Sequence, residues 1–279
     1  MEILRKIFLF FNLLSLDVVF GAIAGMLFFS DLLEVEIPLS SFLLLGLAVW
    51  SIYTFDHLMD ARTVKGKPQT PRHQIHQNYF WVLFPLAISS ILVGFVLVFS
   101  NSELVFIIIP GIVLGFVTVG WMVFLKLAGQ GVSWLKEIST ALMYVAGISL
   151  APFVKMEYEM IDKNVYFFVI IYFLAALVNL LMLSYMDSDE DKKDGFGSIL
   201  VLISKSQLKK FIAALGGIGI GMLMILALIL PSFYHIHSLI LGFILGYHLI
   251  LFFSKSQNKD QVRRKSEVLF LLPMLLLLF

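Results

Sequence analysis

Two short acidic stretches carry the residues best suited to chemistry in this sequence. The first reads Asp56-His57-Leu58-Met59-Asp60-Ala61-Arg62, and the second Asp187-Ser188-Asp189-Glu190-Asp191-Lys192-Lys193-Asp194-Gly195. Asp56 and Asp60 are four residues apart, as are Asp187 and Asp191. If helices continue through both stretches, each pair presents its carboxylates to one side. Like charges at that spacing repel, and carboxylates beside hydrocarbon are costly to keep ionised. Divalent cations between them would offset both costs. The chain has no cysteine, and an all-oxygen site suits Mg²⁺, which keeps some of its waters and takes phosphate oxygens from a substrate. The competing account is a solvated acidic loop. A calcium loop fits poorly, because Lys192 stands where glycine is needed and Ser198 where the closing Glu should be.

Basic residues flank these stretches. Arg62, Lys65, Lys67 and Arg72 follow the first, Lys192 and Lys193 are interleaved with the second, and Lys126 and Lys136 stand at the ends of apolar runs. Metal together with ammonium or guanidinium groups stabilises charge on departing phosphate oxygens, so a diphosphate is the expected ligand. Each basic residue also has a plainer role in topology and headgroup contact, and for the residues from Lys255 to Lys265 that role is the expectation. His73 and His76 are able to serve as phosphate donors or as a base, but read first as exposed loop histidines. His235, His237 and His248 lie around the eighth apolar run, the first two toward the face opposite the acidic stretches. Asp17 lies inside the first such run with Asn12 and Ser15 nearby, where it either lines a cavity floor or bonds a neighbouring helix. Gly111, Gly115 and Gly120, with Gly216, Gly217, Gly219 and Gly221, read as close helix contacts. No glycine-rich phosphate loop is present. Trp50, Tyr53, Phe55, Tyr144, Tyr172 and Tyr185 are either packing residues or π faces able to shield a cation.

The elements that must position these groups are membrane helices. Of the 279 residues 60% are hydrophobic and 14% charged, with mean hydropathy +0.96, whereas soluble domains are roughly half apolar and about a quarter charged. The apolar residues fall in runs near the ~20 residues that one helix needs to cross a bilayer. Nine spans are expected, over 7–29, 39–55, 79–99, 104–126, 133–154, 164–186, 208–230, 235–254 and 267–279. The last, at thirteen residues, would rise only ~20 Å as an α-helix. The amino terminus has no cleavage pattern and reads as a retained helix. Placing it in the cytoplasm leaves eighteen of the 20 Lys and Arg residues inside, with only Lys155 and Lys163 outside, a strong positive-inside bias. Both acidic stretches then follow even-numbered spans and meet the cytoplasmic face. The expectation is an all-α, polytopic membrane bundle forming a single domain over 1–279, in the cell's inner membrane. The net charge of +1 gives no bias toward nucleic acid. The missing cysteines exclude disulfides and thiolate catalysis.

On these features the sequence resembles the UbiA superfamily of intramembrane prenyltransferases, nine-helix bundles with two aspartate-rich motifs at cytoplasmic helix ends. Their first motif is Asn or Asp, then two Asp, each separated by three residues; here Asp56 and Asp60 fill the first two places and Val64 the third, with His57 where another Asp is frequent. The second motif resembles the stretch from Asp187 to Gly195, with Asp187 and Asp191 at its core spacing. Lys126 resembles the family lysine that contacts the diphosphate, and Arg72 a similar loop arginine. The resemblance implies Mg²⁺ held by Asp56, Asp60, Asp187 and Asp191, and a prenyl diphosphate contacted by Arg62, Arg72, Lys126, Lys192 and Lys193. It further implies prenyl transfer to an aromatic or lipid acceptor. Two other classes remain open. A non-catalytic isoprenoid-lipid binding or transport protein would accommodate Val64 and His57. A CDP-alcohol phosphotransferase would keep its aspartates in one contiguous stretch, which this chain does not.

Overall fold

A computed structural model of the protein describes residues 10–156, 161–254 and 258–278. Every regular element among them is helical. A turn of helix at 10–13 breaks at Ser15, whose φ of 58° is left-handed. Helix α1 (Leu16–Leu32) follows, then α2 (Leu39–Thr63), α3 (Pro71–Asn78) and α4 (Phe80–Ser100). A 3-10 segment, Ser102–Ile107, leads into α5 (Ile108–Ala128), which is followed by α6 (Leu135–Lys155), α7 (Val165–Asp194), α8 (Lys205–Ile229) and α9 (Phe233–Phe253). The chain closes with α10 (Lys259–Val268) and a 3-10 run, Leu269–Leu278.

Local chemistry sets several of these boundaries. Pro71 begins α3, where its missing N–H costs nothing, and the Thr70 hydroxyl accepts from the His73 N–H. Ser204 and Gln207 form a reciprocal capping box at the start of α8. Gly195 ends α7 at φ 84°, a conformation that glycine adopts without a side-chain penalty.

Seven helices, α2 and α4 to α9, are long and apolar enough to cross a membrane. Helix α1 has 17 residues and rises ~26 Å, and the expected first span, 7–29, begins outside the described residues. The expected last span is the ten-residue 3-10 run behind a polar α10. Helix α7 has 30 residues and rises ~45 Å, beyond a hydrocarbon core of ~30 Å. Its final turns carry Asp187 to Asp194, so the second acidic stretch is a continuation of the span. Helix α2 likewise runs on through Asp56 and Asp60.

Aromatic packing holds the centre. Phe28 and Phe29 of α1, Ile148 of α6, and Phe168 and Tyr172 of α7 are fully buried. Phe28 meets the Tyr172 ring edge-on at 5.5 Å, a favourable aromatic geometry. At Gly25 an added Cβ would come within 2.7 Å of Ile148 Cδ1, so the bare backbone lets α1 approach α6. Gly216 and Gly219 of α8 are equally confined, by Leu249 and Leu245 of α9. The expectation of close contact fails at Gly111, Gly115, Gly120, Gly217 and Gly221, where an added Cβ meets nothing within 4 Å. Helix α5 buries none of its residues and stands as an outer wall.

Candidate functional site

The C-terminal turns of α2 and α7 and the N-terminal turns of α1 and α6 surround one polar chamber of about 250 Å³. Asp56 and Asp60 are together there, each within reach of two lysines. Lys126 Nζ lies 3.0 Å from Asp60 and 3.7 Å from Asp56, and Lys136 Nζ 3.2 Å and 3.7 Å from the same pair. Asp187 pairs with Arg263 and, at 2.7 Å, with Lys259, which also binds Glu190. Asp191 lines the chamber within electrostatic reach of Lys136 and Arg263. The remaining acids of the second stretch turn elsewhere: Asp189 pairs with Lys205 at 3.2 Å, and Asp194 accepts from the Gln69 N–H at 3.0 Å.

A second network closes the chamber's side. Arg72 donates to the Asn12 carbonyl at 3.0 Å and to Glu267 at 3.3 Å, while the Asn12 amide bridges Asp17 and Glu267. Asp17 therefore belongs to the first turn of α1 beside Arg72 of α3, and both expected roles apply, since it lines the chamber and bonds its neighbours. His73 also lines the chamber, and His76 is only 1% exposed, which corrects the reading of these two as exposed loop histidines. Their burial disfavours the imidazolium; His73 is shifted down and His76 is lowered to about 4. The Arg72 carbonyl accepts from the His76 ring at 2.8 Å.

Not every expected phosphate ligand arrives. Arg62 is exposed, its guanidinium 4.4 Å above the Phe80 ring, and Lys192 and Lys193 are exposed without lining the chamber. Val64 follows the end of α2 in extended backbone, so it is off the helical face that carries Asp56 and Asp60. One turn before Asp56 on that face is Ile52, which lines an apolar space instead.

That space is a second chamber of about 630 Å³, bounded by α2, α5 and α6 with side chains such as Leu44, Val49, Leu114, Met122 and Leu150. Tyr53, Asp56, Asp60, Lys136, Thr140 and Tyr144 line both chambers. A polar compartment and an apolar one thus meet at the first pair of aspartates.

The donor set fits a divalent cation of one kind. Seven carboxylates line the polar chamber (Asp17, Asp56, Asp60, Glu137, Asp187, Asp191 and Glu267) with Arg72, Lys136 and Arg263, and Lys126 and Lys259 pair with the same acids. The acids still outnumber the cations, which favours a bound cation. Among the described residues no three His, Asp or Glu side chains converge into a preformed metal cage. A hard ion that keeps waters and completes its shell with phosphate oxygens suits such a site; an ion needing an all-protein cage does not.

Four residues of the site escaped the sequence reading. Glu137 and Glu267 are acids in apolar stretches, and the rule that singled out Asp17 applies equally to them. Lys259 and Arg263 carried only a topological reading. Their four-residue spacing on one short polar helix is a signal, but nothing in the sequence says that this helix lies against α7.

Neither protein-family models nor curated proteins give a match to this sequence. Among solved structures, the apo structure of a UbiA homolog from Aeropyrum pernix K1 superposes with a TM-score of 0.63 over 94% of this chain and 98% of that one, at 10% identity. This chain is a multi-pass integral membrane protein with the UbiA fold.

Proposed function

We propose that this protein transfers a prenyl group from a prenyl diphosphate to a hydrophobic acceptor inside the membrane, using Mg²⁺ at the cytoplasmic face. The observation that carries this reading is the junction of the two chambers at Asp56, Asp60 and Lys136. One substrate with a highly charged head and a long apolar tail fits a polar, cation-seeking chamber opening into an apolar one.

Asp56 and Asp60 on one side and Asp187 and Asp191 on the other are the carboxylates assigned to the metal. Bound there, Mg²⁺ would neutralise the diphosphate and stabilise it as a leaving group. Lys126 and Lys136, already beside the first pair, supply ammonium groups to the same oxygens, and Arg72 supplies a guanidinium. Arg62, Lys192 and Lys193 stay in solvent and are assigned to drawing the diphosphate in rather than holding it. The allylic carbon–oxygen bond breaks with its electron pair leaving on the diphosphate. The apolar walls around Val49, Leu114 and Met122 keep water from the resulting carbocation, until the acceptor's nucleophilic atom bonds to it and its proton passes to the released diphosphate. Incubating the purified protein in liposomes with labelled geranyl, farnesyl and geranylgeranyl diphosphates tests the reading. Mg²⁺-dependent transfer of label to an added acceptor is expected; label left wholly on the diphosphates across a broad acceptor panel would count against it.

The pairing of Asp187 with Arg263 and Lys259 favours a second reading, a non-catalytic isoprenoid-lipid binder of the same fold. In that reading the protein's own cations occupy the acids permanently, and saturable binding of a prenyl lipid occurs without loss of diphosphate.

A further inference from the structure

On the wall of the polar chamber formed by α6 and α7, two buried acceptor atoms have no partner among the described residues. Glu137 is 5% exposed and Asn179 9%. Glu137 Oε1 accepts from the Ser184 hydroxyl at 2.6 Å and from the Ile199 N–H at 3.0 Å, but Oε2 accepts from nothing. Asn179 Oδ1 is equally unpartnered. Both residues line the chamber. A fold leaves a buried acceptor unpaired at a cost in stability, unless something outside the chain donates to it.

Asn179 lies deeper in the chamber than the carboxylates assigned to the metal. Asn179, Leu183 and Asp187 follow at four-residue steps along the lining face of α7, which puts Asn179 ~12 Å below Asp187 along the helix. Glu137 reaches this wall through its bond to Ser184, one turn below Asp187. The cations that line the chamber face other acids, Lys136 pairing with Asp56 and Asp60, Arg72 with Glu267 and Arg263 with Asp187.

We propose that Glu137 and Asn179 form the acceptor-recognition subsite, and that it takes a neutral, hydroxyl-bearing head group rather than a carboxylate. Each unpartnered oxygen requires a donor, and a hydroxyl supplies one. A carboxylate would present only acceptors to Glu137 Oε2 and Asn179 Oδ1 and would add charge to a chamber already rich in acids. A diol or polyol offers a donor for each oxygen. The assignment rests on the prenyl-transfer reading for the word acceptor, and it concerns binding alone; neither residue takes part in bond making.

Binding of tritiated 1-O-octylglycerol and tritiated octanoate to the full chain in lipid nanodiscs, against empty nanodiscs, tests the subsite without turnover. Saturable binding of octylglycerol and none of octanoate is expected. Glu137→Gln keeps an acceptor for Ser184 and Ile199 but replaces Oε2 with a donor, and should weaken octylglycerol binding at least tenfold. Asn179→Leu should do the same. If Glu137→Gln does not fold, as judged by size exclusion, Asn179→Leu carries the test. Unchanged affinity in the Glu137→Gln and Asn179→Leu variants, saturable octanoate binding, or no saturable octylglycerol binding would overturn the proposal. Loss of the prenyl-transfer reading shows separately, as absence of Mg²⁺-dependent diphosphate release from the wild type.

Discussion

Among single residues, Asp60 is closely enclosed by opposite charge. It is 7% exposed between Lys126 at 3.0 Å and Lys136 at 3.2 Å. Removing its charge leaves the two ammonium groups with only the more distant Asp56, 3.7 Å from each, to balance them. Asp60→Asn should destabilise the protein by about 2–3 kcal/mol, less than a fully buried pair would cost because Lys136 is half exposed. A lowered Tm in detergent checks this, and Lys136→Met added to Asp60→Asn should recover part of the loss. His76 gives a pH signature. Burial holds its folded value at about 4 against an ordinary 6.5, so between those values the unfolded chain binds the extra proton. Stability contributed by neutral His76 is therefore present above about pH 6.5 and lost as pH falls toward 4. The slope of Tm against pH across that window should flatten in His76→Gln. The aspartates were legible at this scale because an acid beside a hydrocarbon run is conspicuous and its spacing is countable. Burial of His73 and His76 was not, since it depends on α3 folding back against α2 and on the Arg72–Glu267 bond from a distant segment.

At the scale of elements, α5 makes the sharpest expectation. Gly111 and Gly115 line the apolar chamber, and an added Cβ at either meets nothing within 4 Å. Side chains there have room and fill the space assigned to the prenyl tail. Gly115→Phe should fold normally and shift preference toward shorter prenyl diphosphates, with the ratio of geranyl to geranylgeranyl turnover rising severalfold. An unchanged chain-length profile would show that the tail lies elsewhere. Glycines are poorly read from sequence for the reason seen here. Gly216 and Gly219 admit Leu249 and Leu245, whereas Gly111 and Gly115 leave a cavity open, and the sequence shows only that a side chain is missing. Helix existence was easier, because a run of about 20 apolar residues has few other uses. The ends were harder: α7 continues as helix to Asp194 because polar residues at the membrane rim do not interrupt backbone hydrogen bonding.

Across the whole molecule, one end of the bundle gathers the C-terminal turns of α2 and α7 with Arg72 of α3 and with α10. Chain topology alone placed the two acidic stretches at equivalent ends, since they lie an even number of crossings apart. It could not bring α10 against α7, an arrangement set by tertiary packing. Orientation is testable because the chain has no cysteine. Single cysteines replacing the exposed Lys193 and Lys163 should label from opposite sides of the membrane with an impermeant maleimide, Lys193→Cys only from the cytoplasmic side. Labelling of both from the same side would contradict the topology. The central claim, that the acidic rim ionises a prenyl diphosphate, is tested most directly by diphosphate release from a labelled prenyl diphosphate in proteoliposomes. The account predicts release by the wild type that requires Mg²⁺ and stops with EDTA, and a loss of at least a hundredfold in an Asp191→Asn variant that still inserts and folds. Equal release by the wild type and that variant, or release that persists in EDTA, would contradict it.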